Sequence, residues 1–123
     1  MTGRRLGGEA TPSGVPELVV RGDVFLVDLR PTRGREIRKA RPCVVVSPDQ
    51  LNLHLRTHVV APLTTGSFDY PFRVPCRFGG KAGHVVLDQV RTVDRERLVR
   101  RLGRLGAGTV GRSLAVLREM FAE

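Results

Sequence analysis

The chain has 123 residues, 41% of them apolar, with 21 Lys and Arg against 12 Asp and Glu for a formal net charge of +9; this suits one domain with one core. Arg4 and Arg5 balance Glu9 and Glu17, so the whole excess lies on residues 21–123 and a basic tail on a neutral body is excluded. A basic body points to a polyanionic partner (nucleic acid, an anionic membrane surface or an acidic protein), and no run approaches the roughly 20 apolar residues of a membrane span.

Met1 to about Glu17 is rich in Gly, Pro, Ser and Thr without periodicity, and residues 1–20 read as a disordered leader before a domain at 21–123. No apolar stretch follows Arg4 and Arg5, so no signal peptide is expected and the chain reads as cytoplasmic, with Cys43 and Cys76 as reduced thiols. After the Gly22-Asp23 turn signal, Val24 to Leu29 reads as a strand. A basic loop from Arg30 to Ala40 leads into a second strand, Pro42 to Val46, a β-branched run stopped by Pro48. Ser47-Pro48-Asp49 predicts a short helix through Leu53, with Ser47 as N-cap and Pro48 in its first turn. His58 to Leu63 is a third strand in which Pro62 suggests an edge or a bulge.

Phe72 to Val74 follows as a fourth, short strand. Gly79-Gly80-Lys81-Ala82-Gly83 reads as a tight loop, and Val85–Leu87 and Val90–Val93 as strands around Asp88-Gln89. Leu98 to Leu105 fits either strand or short helix. Thr109 to Phe121 is helical, with Val110, Leu114, Leu117 and Phe121 on one face as core or dimer contact. The sum is a mainly β fold: a small, strongly bent sheet or partly open barrel of short antiparallel strands packed on a C-terminal helix.

Chemistry concentrates at Gly34 to Ser47, GREIRKARPCVVVS, where Arg35, Arg38, Lys39, Arg41 and Glu36 run straight into the second strand. A rigid strand beginning at Arg41 holds a guanidinium at a fixed point, and its planar fork suits a phosphate.

Four blocks in order, RGDVFLVDL, GREIRKARPCVVVSPDQLN, VVAPLTT and GHVVLDQVRTVDRERL, closely resemble the MazF/PemK toxins of type II toxin–antitoxin systems. The resemblance runs from about Arg21 to the C-terminus. It implies an SH3-like barrel with a C-terminal helix, acting as a homodimer that cuts single-stranded RNA, usually mRNA, at short sequences without a metal or other cofactor. It also implies a cognate antitoxin that blocks the RNA groove with an acidic, flexible tail. It places the catalytic arginine on Arg41, the catalytic threonine on Thr64 and the loop glutamate on Glu36. The Asp-Gln pair falls on Asp88 and Gln89. With Arg35, Arg38, Lys39, Thr65 and Arg91, these form the expected RNA-contacting set. Phe68 and Tyr70, after Thr64, are the expected stacking surfaces for splayed bases. A plasmid-borne branch uses a His/Arg/Asp set. Those positions here hold Arg35, Val86 and Asp88, so only Asp88 matches.

Metal-free cleavage needs 2′-OH attack on phosphorus, with charge building on the phosphoryl oxygens. Arg41 answers the charge and the Thr64 hydroxyl assists, giving a 2′,3′-cyclic phosphate and a 5′-OH. Arginine stays protonated and is a poor base, so the proton path is open, with Glu36 as orienter or shuttle. His54 and His58, four apart, with His84 as a third, offer a histidine route. No metal site is expected from them, because the segment at Arg56-Thr57 breaks the helical spacing. Arg95, Arg97, Arg100, Arg101 and Arg104 either widen the RNA track or form a solvated face. A barrel that binds DNA gyrase without catalysis, of the CcdB type, and a general RNA-binding module are the alternatives.

Overall fold

A computed structural model describes residues 14–31, 40–66 and 70–123. Among them, seven strands and two α-helices run in the order β1 (Asp23–Val27), β2 (Arg41–Val45), α1 (Asp49–His54), β3 (Thr57–Thr65), β4 (Arg73–Phe78), β5 (Lys81–Val86), β6 (Arg91–Asp94), β7 (Leu98–Arg104) and α2 (Ala107–Met120). Every strand pairing is antiparallel, in the spatial order β4-β5-β3-β2-β1-β7, with β6 added to β3. The path ends at β4 and β7, so the expected barrel takes the form of an open, bent sheet. Its two ends still approach: a Cβ on Gly103 of β7 would stand 3.2 Å from the Phe78 ring of β4.

Both faces of the central strands are covered, which is why their sequences run apolar without alternation. Phe25, Val27, Cys43, Val45, Val60, Val93 and Leu98 form one buried cluster. Val24, Val44, Ala61, Leu63, Val74 and Val85 form a second, on which α2 lays Val110, Leu114 and Leu117. The expected helix stripe holds for those three, whereas Phe121 caps the helix and is 76% exposed.

Several boundaries differ from expectation for identifiable reasons. Within the stretch expected as leader, Val15 and Val19 are buried in the first cluster and the Gly14 carbonyl accepts from Arg101 N–H at 3.0 Å. Met1 to Ser13 lie outside the described residues. Gly79 and Gly80, with φ of +60° and +77°, make a two-residue turn of the hairpin type, so Lys81 to Gly83 are strand rather than loop. Leu98 to Arg104 resolves as strand. Pro62 sits inside β3 opposite Cys43, not on an edge. β3 pairs with β6 over Thr57–Val60 and with β5 over Leu63–Thr65, so Ala61 and Pro62 have no register partner in either. That change of partner accommodates a residue without an N–H.

Pro48, not Ser47, is the N-cap of α1. Ser47 instead joins a buried network. Its hydroxyl donates to Asn52 Oδ1 at 2.6 Å and accepts from Val59 N–H at 3.1 Å. Asn52 Nδ2 donates to the Ser47 carbonyl at 3.0 Å. His58 Nδ1 lies 3.0 Å from Asn52 Oδ1, which can only accept, so Nδ1 carries the proton. Nε2 is then a buried acceptor with no hydrogen-bond partner among the described residues. Burial, and after it the Arg95 and Arg56 charges, lower the His58 pKa, with Asp94 pulling the other way. A base with a lowered folded-state pKa stabilises the fold fully above its unfolded value of about 6.5. As pH falls below that, the unfolded chain takes up the proton first. Wild type should therefore lose stability relative to His58→Gln by up to about 1.4 kcal/mol per pH unit below pH 6.5. Urea melts of both proteins between pH 5 and 8 check this; parallel curves would contradict it.

Candidate active site

The β2–β3 register runs Val45 opposite Val60, Val44 opposite Ala61 and Cys43 opposite Pro62. Continued by two residues to the start of β2, it sets Arg41 across from Thr64. Val27 pairs with Arg41 on one flank, and on the other Thr64 pairs with His84 and His84 with Pro75. One row across five strands therefore carries Arg41, Thr64 and His84 side by side. Side chains of such a row share a face, with directly opposed Cβ atoms about 4.5–5.5 Å apart.

Arg41 and Thr64 line one cavity of about 600 Å³ together with Pro42, Thr65, Lys81 and Gly83. Arg41, Lys81, Thr64 and Thr65 are among its lining residues, and no carboxylate is among the described ones. Arg41 is exposed and has no ion-pair partner among the described residues. Cys43, two residues along the strand, is buried, and burial pushes its thiol up to about 12 despite the charges of Arg41 and Arg91, so it is no nucleophile near neutrality. Both cysteines are free thiols, as read from the sequence.

Gly83 explains how closely β5 approaches. A Cβ there would stand 1.7 Å from the Thr64 carbonyl oxygen, an overlap with backbone that no rotamer relieves. The Gly79-Gly80 turn delivers Lys81 to the cavity. Lys81 is absent from the expected site because Gly79 to Gly83 reads as a tight loop. The Gly-Gly pair between two strand-like runs was the available signal.

A second group lies one row away on the same face, since Arg73 pairs with Val86. Arg73 grips Asp88 through both oxygens, at 3.0 Å from Nε and 3.1 Å from Nη2, and this holds the Asp88 carboxyl below its ordinary range. The Arg73 guanidinium also lies 4.9 Å from the centre of the Tyr70 ring. Asp88, expected among the RNA-contacting residues, has Arg73 as its partner. Arg91 donates to the Leu29 carbonyl at 3.4 Å. The turn into β4 closes with Arg73 N–H on the Tyr70 carbonyl at 3.3 Å. Phe72, between them, has φ of +65°, a left-handed conformation that strains a bulky side chain.

Of the expected RNA-contacting residues, Thr65, Tyr70, Asp88, Gln89 and Arg91 are exposed. Glu36, Arg35, Arg38, Lys39 and Phe68 lie outside the described residues. The arginine series after β6 is mostly structural. Arg101 and Arg104 share Asp23, which is 2% exposed, at 3.1 and 3.2 Å. Arg97 donates to the carbonyls of Asp28, Arg30 and Pro31, and Arg95 to that of Pro16. Arg100 is exposed. His54 is exposed on α1 while His58 is buried, so the pair does not act together. Among the described residues no group of three or more His, Cys, Asp or Glu could hold a metal, and no helix is long and apolar enough to cross a membrane.

A second cavity of about 540 Å³ opens between α1 and α2, with Pro48, Leu51, Leu114, Leu117 and Phe121 as apolar walls and Arg118 among its lining residues. Leu51, Leu53 and Leu55 add exposed apolar surface on and just after α1.

The family described as PemK-like, MazF-like toxin of type II toxin-antitoxin system matches residues 20–121. Endoribonuclease MazF of Staphylococcus epidermidis is 34% identical over 91 residues, covering 69% of this chain and 76% of that one. Endoribonuclease toxin MazF of Escherichia coli is 37% identical over 79 residues, covering 64% and 68%. Among solved structures, an endoribonuclease in complex with its cognate antitoxin from a mycobacterial species superposes with a TM-score of 0.69 at 25% identity, over 82% of this chain and 92% of that one.

Replacing Gly83 by Ala should force β5 away from Thr64, lower stability by about 1–3 kcal/mol and open the cavity wall. Thermal melts and a crystal structure of Gly83→Ala check this. A variant that melts with the parent and keeps the β3–β5 ladder would disprove the close-approach argument.

Proposed function

The chain belongs to the PemK-like, MazF-like toxin family of type II toxin–antitoxin systems, and from that premise we propose that it is an endoribonuclease that cuts single-stranded RNA at a short sequence, without a metal ion, and arrests growth in the cytoplasm. The observation that carries this reading is Arg41 set across from Thr64 in a cavity with no described carboxylate. The 2′ oxygen attacks the adjacent phosphorus, the bond to the 5′ oxygen breaks, and a 2′,3′-cyclic phosphate and a 5′-OH result. Arg41 donates two hydrogen bonds to the phosphoryl oxygens as charge grows on them. Thr64 adds a hydroxyl donor, and Lys81 a second positive charge at the cavity wall. Glu36 serves to orient Arg41 or to shuttle a proton. Tyr70, steadied by the Arg73–Asp88 pair, offers a ring for a neighbouring base, with Phe68, Thr65, Gln89, Arg91 and the Arg35, Arg38 and Lys39 loop along the track.

One guanidinium in such a role is worth about 10³–10⁵ in rate in other phosphoryl transfers. Labelled single-stranded RNA incubated in EDTA should be cut by the wild type. Arg41→Ala should be slower by at least about 10³ while melting at the same temperature. RNA left whole by the wild type would instead favour a binding role, of the gyrase-poison or general nucleic-acid type, the latter with steep salt dependence.

The partners in this reading are a second copy of the chain and an antitoxin whose acidic, flexible tail suits the net charge of +9. The apolar cavity between α1 and α2, with Phe121 beside it, supports a protein partner at that end of the molecule. Phe121→Asp should shift the chain from dimer to monomer in light scattering; an unchanged mass would place the dimer contact elsewhere.

A further inference from the structure

The cavity that Arg41 and Thr64 line holds one aromatic ring among the described residues, that of Phe78 at the end of β4. Phe78 stands directly across from Lys81 at the start of β5, the two joined by the Gly79-Gly80 turn. Directly opposed side chains share a face of the sheet, with Cβ atoms about 4.5–5.5 Å apart. A flat ring and an ammonium group therefore stand side by side in the wall of the cavity to which Arg41 also belongs. Resting on the ribonuclease reading, we infer that this hairpin end is the subsite for one base beside the cut. The base stacks on Phe78, and a phosphate flanking that base sits at Lys81.

The ring is placed for stacking. Phe78 is partly buried against the second cluster, and its tip lies against β7, where a Cβ on Gly103 would stand 3.2 Å from Cε1 and Cζ. A side chain already held along one edge loses little freedom when a base covers its cavity side. The wall beside it is kept low. Two residues further along the hairpin Cys76 pairs with Gly83, and Gly83 with Thr65, and all three line the cavity. With no side chain at Gly83, the middle of that row is bare backbone, which a ring can approach closely.

The charge suits a polynucleotide as well. Lys81 is exposed and has no ion-pair partner among the described residues. No carboxylate is among the described lining residues, so the wall favours the phosphates on either side of a bound base. Tyr70, Phe72 and Phe121 do not line this cavity, and Phe25 is buried in the first cluster. Phe78 thus gives the cavity a stacking surface of its own.

The test uses the full chain and an RNA oligonucleotide of the mapped cut sequence with a single 2′-deoxy residue at the cut, which binds without being cleaved. Bases flanking the cut are removed one at a time, and affinity is read by fluorescence anisotropy at several salt concentrations. Wild type should lose about 5–150-fold at one abasic position, the range for one base stacked on one aromatic ring. Phe78→Ala should bind the intact oligonucleotide more weakly by a similar factor and lose nothing more at that position. Phe78→Tyr should behave as wild type. Phe78→Leu keeps apolar bulk against β7 and carries the comparison should Phe78→Ala melt early; it should respond to the missing base far less than Phe78→Tyr does. Lys81→Met should lower the slope of log affinity against log salt by about 0.7. No abasic penalty in the wild type, a penalty that persists in the variants without a ring, or an unchanged salt slope in Lys81→Met overturns the subsite while the ribonuclease reading stands. A wild type that cuts no RNA overturns that reading, and the subsite with it.

Discussion

β3 has two edges and three partners. One edge is taken by β2, and the other is divided between β6 and β5, with Pro62 standing where the partner changes. A proline cannot donate to a ladder, so the division is written into the chain at that residue. The β3 part of the candidate site lies past that point. The β5 half of β3 carries Leu63, Thr64 and Thr65, and its register brings His84 beside Thr64 while the β2 register brings Arg41 to the opposite side. Gly83 keeps the two strands close enough for the row to exist. Among the described residues, strand pairing positions the candidate site, and catalysis depends on such fixed positions.

The charge of the chain is divided with similar economy. Arg95, Arg97, Arg101 and Arg104 satisfy carbonyls or the buried Asp23 and tie β7 to the chain before and after β1. Arg30 does the same for Asp28, whose carboxyl is lowered to about 2 chiefly by its hydrogen bond from Arg30. Arg73 is neutralised by Asp88. Arg41 and Lys81 remain as cations on the cavity wall. A high net charge is therefore a poor map of a polyanion site; what matters is which guanidiniums have no carbonyl or carboxylate to hold.

Much of the fold was readable from the chain itself. Val24–Val27 and Cys43–Val46 announce buried strands because both of their faces are covered, and Val110, Leu114 and Leu117 announce the helix. Lys81-Ala82-Gly83 did not read as strand, because pairing with β4 and β3, rather than local propensity, makes it one. Val15 and Val19 were hidden in a stretch whose composition suggests a tail. At the candidate site, Arg41 stood out where the basic loop enters its strand, and Thr64 through family resemblance. Lys81, Arg73 and the setting of His84 depend on contacts between residues far apart in the chain. Spacing within one segment carries no trace of them. Tyr70 was singled out, but not the guanidinium that steadies it.

The two thiols differ in what a reagent could do to them. Cys43 is sealed inside the first cluster with its proton held to about 12. Cys76 is half-buried in β4 and forms part of the cavity wall beside Thr65 and Gly83, its thiol also raised by burial. An electrophile would therefore find one address on this molecule, slowly and best in alkaline solution, and that address is in the wall of the cavity that Arg41 and Thr64 line. A small adduct there would act as a plug, and a dye there as a reporter, without any engineered residue.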